Sequence, residues 1–400
     1  MVDPVTAGIV FLDHAPALGG AERSLLLLLR HFDRAHWQPH LACNGGPLAE
    51  QAAALDIPVH ILPMPRLRRS PRFLRDWLAR AHAIAHLARQ TGAALLHANT
   101  VRAAFYAALA AHLAGIPFVW HMRDFWLSES RPRHLWADRL GKRLLCATAA
   151  CVITNSHAVA AHLPCSHKVT VIHNGIEVEQ FDPTTDGVPF RQQHGIPPDV
   201  PLVGVVGRLR PWKGQDRFLR VLAQVREAVP DVWGLIVGGA IFDVENDYPT
   251  RLHRLAADLG LADRVVFTGH REDVRPALAA MDVFVHAGDP EPFGLVNLEA
   301  MAMGKPVVAF AHGALPEIVA DEETGLLVRP GDEPALAEAV VALVRDPVRR
   351  TAMGRAGRRR AQTHFTAQRM AAQVMAVYEH VFAEQAPNGN SQPTGGRLDS

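Results

Sequence analysis

The chain has 400 residues, too many for one ordinary hydrophobic core and the right number for two α/β domains of about 180 residues each. Hydrophobic residues make up 48% and charged residues 20%, which excludes the disordered classes. Net charge is only +1 but unevenly divided: residues 1–185 hold 18 Lys and Arg against 13 Asp and Glu, residues 186–400 hold 23 against 27.

Short apolar runs alternate with amphipathic stretches from the start. Residues 8–12 read as a buried strand, followed by a Gly-containing loop and a helix over 21–29. Further strands are expected at 39–43, 59–62, 95–97, 118–121, 151–154 and 169–172, with helices between them, for example over 72–90 and 101–114. Strands alternating with helices imply parallel sheets covered on both faces. The segment 181–200 breaks the pattern with Pro183, Pro189, Pro197, Pro198, Gly187 and Gly195, and reads as the linker between domains. A second series starts with a strand at 202–207. Helices follow at 215–228, 249–259, 274–280 and 294–303, and strands at 234–238, 265–268, 283–286, 307–310 and 325–328. A helical region over 334–384 follows, and the tail 386–400, rich in Gly, Pro, Asn and Ser, is expected to be disordered.

Cys43, Cys146, Cys151 and Cys165 form no C-x-x-C pair and are expected to be free thiols in a reducing compartment. The first apolar run is short and follows the acidic Asp3, unlike a secretory signal. The longest leucine run, 25–29, falls far short of the roughly 20 apolar residues a bilayer span needs. A cytoplasmic protein is expected, with room for peripheral contact at the inner face of the membrane.

In open parallel sheets, ligands bind beyond the carboxyl ends of the strands. Four loops at such positions carry unusual residues. In Leu18-Gly19-Gly20-Ala21-Glu22, paired glycines let the backbone approach a ligand, and the helix start behind them favours an anion. The plain alternative is a tight turn, and the spacing is not that of a dinucleotide fingerprint. In Trp120-His121-Met122-Arg123-Asp124, His121 could bond a sugar hydroxyl or phosphate oxygen, or simply a backbone carbonyl. In the run from Gly207 to Gly214, Arg208 and Lys213 supply the positive charge that a diphosphate leaving group needs; a solvated basic loop is the alternative. The run from Asp289 to Met301 is the most specific. Phe293, Gly294 and Leu295 start a helix whose N–H groups can bind phosphate or sugar oxygens. Glu291 precedes it and Glu299 lies on it, possible acceptors for sugar-ring and ribose hydroxyls, or else a cap and a surface carboxylate.

Together these segments resemble the retaining glycosyltransferases of family 4, which have the GT-B fold: two Rossmann-like doubly wound α/β domains facing each other across a cleft. The likeness also takes in Asn155-Ser156, His173-Asn174-Gly175-Ile176, Leu315-Pro316-Glu317 and Thr324-Gly325-Leu326, and runs from Gly8 to Phe382. It implies an acceptor-binding domain over 1–185, a donor-binding domain over 186–368, a helix over 369–384 packing back on the first domain, and a tail over 385–400. It also implies roles. Arg208 and Lys213 match the cations that neutralise the donor diphosphate, Glu291 the carboxylate facing the donor sugar, and Glu299 the one holding the ribose. Phe293, Gly294 and Leu295 match the backbone lining of sugar and phosphate. Gly20, beside Gly19, matches the first-domain glycine at the diphosphate, and His121 the strand-end His near the sugar. His270 and Arg271 fall where the nucleobase is held. In two places the chain departs from the family pattern: Gly313-Ala314 replaces Gly-Gly, and His286-Ala287 replaces a common Pro-Ser.

The resemblance implies transfer with retention from a UDP- or GDP-sugar to a glycan, lipid-linked or small-molecule acceptor. The nucleotide sugar is a co-substrate, and no cofactor, metal or nucleic acid is expected. His82 and His86 have i, i+4 spacing but lack the Glu of an H-E-x-x-H zinc motif. A GT-B nucleotide-sugar 2-epimerase and a non-enzymatic sugar-binding protein are the other readings. Finally, the segment from Arg66 to Arg80 carries six Arg with Phe73, Leu74, Trp77 and Leu78, and Ser70-Pro71 looks like a helix start. This is either a solvated core helix or a contact for an anionic membrane.

Overall fold

The computed structural model describes residues 7–65, 73–125, 135–239 and 247–385. The expected tail, the 66–72 part of the arginine segment with Ser70-Pro71, and the loop that follows the 234–238 strand from residue 240 lie outside them.

The first domain contains β1 (Ala7–Leu12), α1 (Gly20–Arg30), β2 (Trp37–Cys43), α2 (Pro47–Ala53), β3 (Val59–Ile61) and α3 (Phe73–Gln90). It continues through β4 (Ala93–Ala98), α4 (Val101–Ala114), β5 (Phe118–Met122), α5 (Leu135–Thr148), β6 (Cys151–Thr154), α6 (His157–Ala160) and β7 (Val169–Val171). Its seven strands are all parallel, in the order β3-β2-β1-β4-β5-β6-β7. Ile9, Val10, Phe11 and Leu12 are all fully buried because both faces of β1 are covered. Val10 and Leu12 pack with α3, α4 and α5, while Ile9 and Phe11 pack with α1 and α2. Local chemistry marks the helix starts. Thr100 caps α4 through Ala103 N, Ser156 caps α6 through Val159 N, and Glu22 reaches back to Gly19 N at 2.7 Å.

The second domain contains α7 (Val188–Gln193), β8 (Leu202–Val206), α8 (Gln215–Ala228), β9 (Trp233–Val237), α9 (Tyr248–Asp258), β10 (Val265–Phe267) and α10 (Arg275–Ala280). Then come β11 (Val283–His286), α11 (Leu295–Ala302), β12 (Val307–Phe310), α12 (Leu315–Ile318), β13 (Gly325–Val328), α13 (Glu333–Arg345) and α14 (Pro347–His364). The six parallel strands run β10-β9-β8-β11-β12-β13. The Pro- and Gly-rich stretch 181–200 packs onto this domain: α7 forms within it, and Phe190 and Ile196 enter the core beside Leu202 and Phe284. Arg191 ties it down through Ala280 O, Val200 O and Asp282.

The chain passes between domains twice, at adjacent points. Ile176 N donates to Phe365 O and Ala367 N donates to Ile176 O, both at 2.9 Å. Beyond the second crossing, α15 (Ala367–Gln385) lies on the first domain. Its Met370, Val374, Tyr378 and Val381 share a core with Leu25, Leu28, Phe32 and Trp37.

One expectation is corrected. Cys146 and Cys165 are not free thiols but form a disulfide, their Cα atoms 5.8 Å apart. The fold sets the end of α5 against the turn before β7, a meeting that a separation of 19 residues does not disclose. Cys43 and Cys151 are free and buried.

A clasp joins the domains below the cleft. The Glu317 carboxylate on α12 accepts from His157 N (2.8 Å), Ala158 N (2.9 Å) and His173 Nε2 (2.8 Å) of the first domain. Burial would raise its pKa, but these bonds outweigh burial and hold it below the ordinary value. The clasp is therefore complete above the unfolded-state carboxyl pKa and is lost as pH falls through the depressed folded value. Glu317→Gln should lower stability by about 2 kcal/mol at pH 7. The gap from wild type should close in strong acid. Urea unfolding at both pH values measures it, and a pH-independent gap would contradict the clasp.

Candidate active site

In each sheet the strand order reverses at one place, between β1 and β4 and between β8 and β11. The loops after these strands are where an open sheet leaves a crevice, and they carry most of the expected residues. After β8 the chain makes a short 3-10 turn, Pro211–Lys213, and reaches Gly214 at φ +72°. A Cβ there would lie 2.1 Å from Ala287 O, so only glycine lets the loop after β8 touch the loop after β11. That contact brings Lys213 to Glu291, and the ammonium donates to Oε1 of the carboxylate. The Trp212 ring lies 4.4 Å from the same ammonium. Arg217 steadies the acidic loop through Ala287 O (3.2 Å) and Asp289 (2.7 Å).

Glu291 is buried, and its backbone is held from the far side. Gly313, at φ +56°, stands where a Cβ would come 2.5 Å from Glu291 O, and Ala314 N donates to that oxygen at 2.9 Å. The close approach is thus needed at Gly313, and the Ala314 departure is absorbed in a buried right-handed turn. Burial would raise the Glu291 pKa, but the Lys213 charge and the neighbouring His286 hold it at about 2. The carboxylate is ionised at any working pH.

Gly294, at φ +89°, caps α11, with its carbonyl accepting from Asn297 N and Nδ2. Phe293 is buried against His173 and Phe365, at the domain crossings. From the first domain the Gly19-Gly20 turn comes over this helix start: a Cβ on Gly20 would lie 4.0 Å from Leu295 Cδ1. Charges also speak across the cleft. Burial pushes the Glu22 carboxyl up while Arg123 and Arg208 draw it down. Burial likewise raises Glu299, on α11, against the pull of Arg23 from α1. Gly19, Gly20, Arg208, Lys213, Glu291, Phe293, Gly294, Leu295 and Glu299 therefore border one cleft between the domains.

Three expected residues stand apart. His121 is wholly buried at the end of β5, 3.3 Å from His97 and 3.2 Å from Arg123, and burial holds its ring well below the ordinary pKa. Both partners, His97 and Arg123, belong to the first domain. His270 is exposed beside Gly239 at the end of the second sheet. Arg271 turns toward α7, over Phe190 and near His194. Sequence reasoning passed over Arg123, two residues beyond His121 and just past the end of β5. Its guanidinium donates to Asn99, Ser24 and Asn174, each at 2.6 Å, and is charge-coupled to Asp13, whose carboxyl burial raises to about 7. Its place directly after a strand, where an open parallel sheet sets its ligand-facing residues, was the available signal. Ser156, whose hydroxyl donates to Pro292 O at 2.7 Å, was likewise quoted but given no role.

Two parallel-sheet domains with a basic and acidic crevice at their switch points define a GT-B sugar-transferring fold. The family model described as Glycosyltransferase Family 4 matches residues 18–180, and Glycosyl transferases group 1 matches residues 189–360. The lipopolysaccharide core biosynthesis mannosyltransferase LpsB of Rhizobium meliloti is 35% identical over 261 residues, 64% of this chain and 72% of that protein. D-inositol 3-phosphate glycosyltransferase of Stackebrandtia nassauensis is 33% identical over 307 residues, covering 72% and 68%. Among solved structures, Anabaena Alr3699/HepE in complex with UDP-glucose superposes with a TM-score of 0.80 at 29% identity, covering 93% of this chain and 99% of that one. The chain belongs to the group 1 glycosyltransferases.

Gly313→Ala should push the Glu291 backbone out of place while leaving the fold intact. Turnover should drop by about 10²-fold, the scale of a 1 Å misplacement. Initial rates beside thermal unfolding test this, and near-normal rates would remove Gly313 from the site's support.

Proposed function

We propose that the protein transfers a sugar, with retention and without a metal, from a UDP- or GDP-sugar to a lipid-linked or glycan acceptor. The observation that carries this is the Lys213–Glu291 pair at the start of α11, opposite the Gly19-Gly20 turn, with Arg208 on the same loop as Lys213 and its charge acting on Glu22 across the cleft. The bond from the anomeric carbon to the diphosphate breaks, with both electrons passing to the leaving oxygen. The acceptor hydroxyl attacks from the same face and its proton goes to the leaving phosphate. Arg208, Lys213 and the α11 N-terminus stabilise the charge that grows on that phosphate. Glu291 faces the sugar and Glu299 the ribose. Mannosyltransferases among the relatives and the UDP-glucose complex of the structural neighbour support a sugar nucleotide as donor. Family membership favours a transferase over a 2-epimerase or a binding protein. Among the described residues no group of three or more His, Cys, Asp and Glu is placed to hold a metal ion, and the two cations supply the positive charge instead.

A panel of UDP-, GDP-, ADP- and dTDP-sugars, assayed in excess EDTA, tests the whole reading. Wild type should consume one of them, and Arg208→Ala and Lys213→Ala should each lower turnover by about 10²–10³-fold with the fold intact. Activity lost to EDTA and restored by Mg²⁺ or Mn²⁺ would overturn metal independence. Normal turnover in both variants would overturn the diphosphate assignment.

The lipid part of the reading rests on the outer face of the first domain. No described helix is long and apolar enough to cross a membrane. On α5, however, Trp136, Leu140 and Leu144 are exposed at every fourth position, between the exposed Arg139 and Arg143. On α3, Leu74 and Leu78 are exposed with Arg75 and Arg80. Between them lies an apolar hollow of about 650 Å³ lined by Trp77, Phe105, Leu109 and Leu144. Apolar side chains ringed by arginine suit an anionic bilayer surface, where each cation contributes about 1 kcal/mol. Co-sedimentation should show binding to anionic vesicles that salt and Trp136→Ser/Leu140→Ser weaken. Equal behaviour toward neutral vesicles would refute an electrostatic contact.

A further inference from the structure

The geometry points to His286 as a positioning residue that holds Glu291 when Lys213 turns to the donor diphosphate. This inference rests on the donor-site reading above.

His286 ends β11 and is 5% exposed. Its Nε2 lies 3.6 Å from Glu291 Oε1, the same oxygen that accepts from Lys213. One carboxylate oxygen therefore has two nitrogen partners with unequal duties. Lys213 is also the cation within reach of a diphosphate, whose charge would draw the ammonium away. Glu291 is too buried to be left without a partner. A ring nitrogen already aimed at Oε1 keeps the carboxylate in place as the ammonium is shared.

The ring's surroundings fix how it does this. His286 Nδ1 is buried with no hydrogen-bond partner. A proton on Nε2 serves the carboxylate and leaves Nδ1 a bare lone pair; a proton on Nδ1 would be a buried donor with nowhere to go. The site therefore supports a proton on Nε2, facing Glu291. The groups around it are Lys213 from the turn after β8, Glu291 and Asp289 from the loop after β11, Arg217 from α8, and His312 from the loop after β12. His312 bonds Gly288 O at 3.1 Å, and burial lowers its pKa. A Cβ on Gly288 would stand 3.1 Å from His286 Cε1, so the ring is wedged beneath the acidic loop and cannot swing aside freely.

The test is steady-state kinetics with the accepted sugar nucleotide on the full-length chain, comparing His286→Phe, which keeps a ring without the donor, with His286→Gln, whose Nε2 reproduces it. His286→Phe should lower kcat by about 10- to 50-fold with the donor KM changed by less than about threefold, and His286→Gln should regain most of the loss. Unchanged kcat in His286→Phe overturns the inference. So does equal impairment of the two variants, which marks mere packing, or an effect on KM alone. If His286→Phe does not fold, His286→Gln decides: near-normal kcat upholds the role and a low kcat in a folded variant overturns it. A wild-type protein that consumes no sugar nucleotide overturns the proposed function itself, whereas an active wild type with an unaffected His286→Phe overturns this inference alone.

Discussion

Lys213 and Glu291 meet where the carboxylate has almost no access to water. Such a pair is poor evidence for stability, because taking both charges out of water costs several kcal/mol per ion before their attraction offsets it. The fold nevertheless goes to some length to form it. Gly214 lets one loop press on Ala287, Gly313 presses on Glu291 from behind, and Arg217 with Asp289 spans the remaining gap. The two glycine contacts are backbone-deep and leave little slack. What they maintain is a carboxylate kept ionised, next to a cation that an incoming anion can recruit.

The first domain answers with a polar centre of its own. Arg123 is buried among Asn99, Ser24, Asn174, His121, Asp13 and Glu22, and burial draws its pKa down to about 10. A buried guanidinium is tolerated only when its donors are matched, and these partners come from the ends of β1, β4, β5 and β7 and from α1. The network therefore fixes the mutual positions of the very loops that face the second domain. Glu22 links it to the cleft: its side chain closes the Gly19 turn, and its charge is felt by both Arg123 and Arg208. The network also reaches α15, where the Tyr378 hydroxyl meets His97 at 2.7 Å. The last helix of the chain is thus anchored to the same centre as the first loop.

The strands were legible because a parallel sheet buried on both faces leaves an uninterrupted apolar run, and each expected strand from 8–12 to 325–328 has its counterpart. The cleft residues of the second domain were legible for a related reason: loops after strands carry charge only where something needs it. What the sequence hid was long-range. Glu317 meets His173 across 144 positions, and Cys146 meets Cys165 through the packing of α5. The proline-rich stretch misled because proline and glycine mark a change of path and say nothing about exposure; Phe190 shows that such a path can run against a core. At the end of β5 the polar contacts within the first domain are carried by Arg123, two positions beyond His121 and just past the strand.

The placement of the two crossings gives these separate pieces a common mechanical sense. Ile176 is bonded to both Phe365 and Ala367, so the outward and returning chain lie side by side and any rotation between domains is concentrated there. Phe293, immediately before the start of α11, packs on Phe365 and on His173, which itself holds Glu317. The helix start that faces the donor is thereby coupled through two rings to the pivot. The clasp and the Ser156–Pro292 bond fix the spacing at the base, while the Gly20 turn faces Leu295 across a gap that a Cβ on Gly20 would narrow to 4.0 Å. A small rotation there would leave the clasped base nearly still and change the gap between Gly20 and α11 most. A diphosphate bound in that gap, as proposed, would let the charge that binds it also draw the domains together.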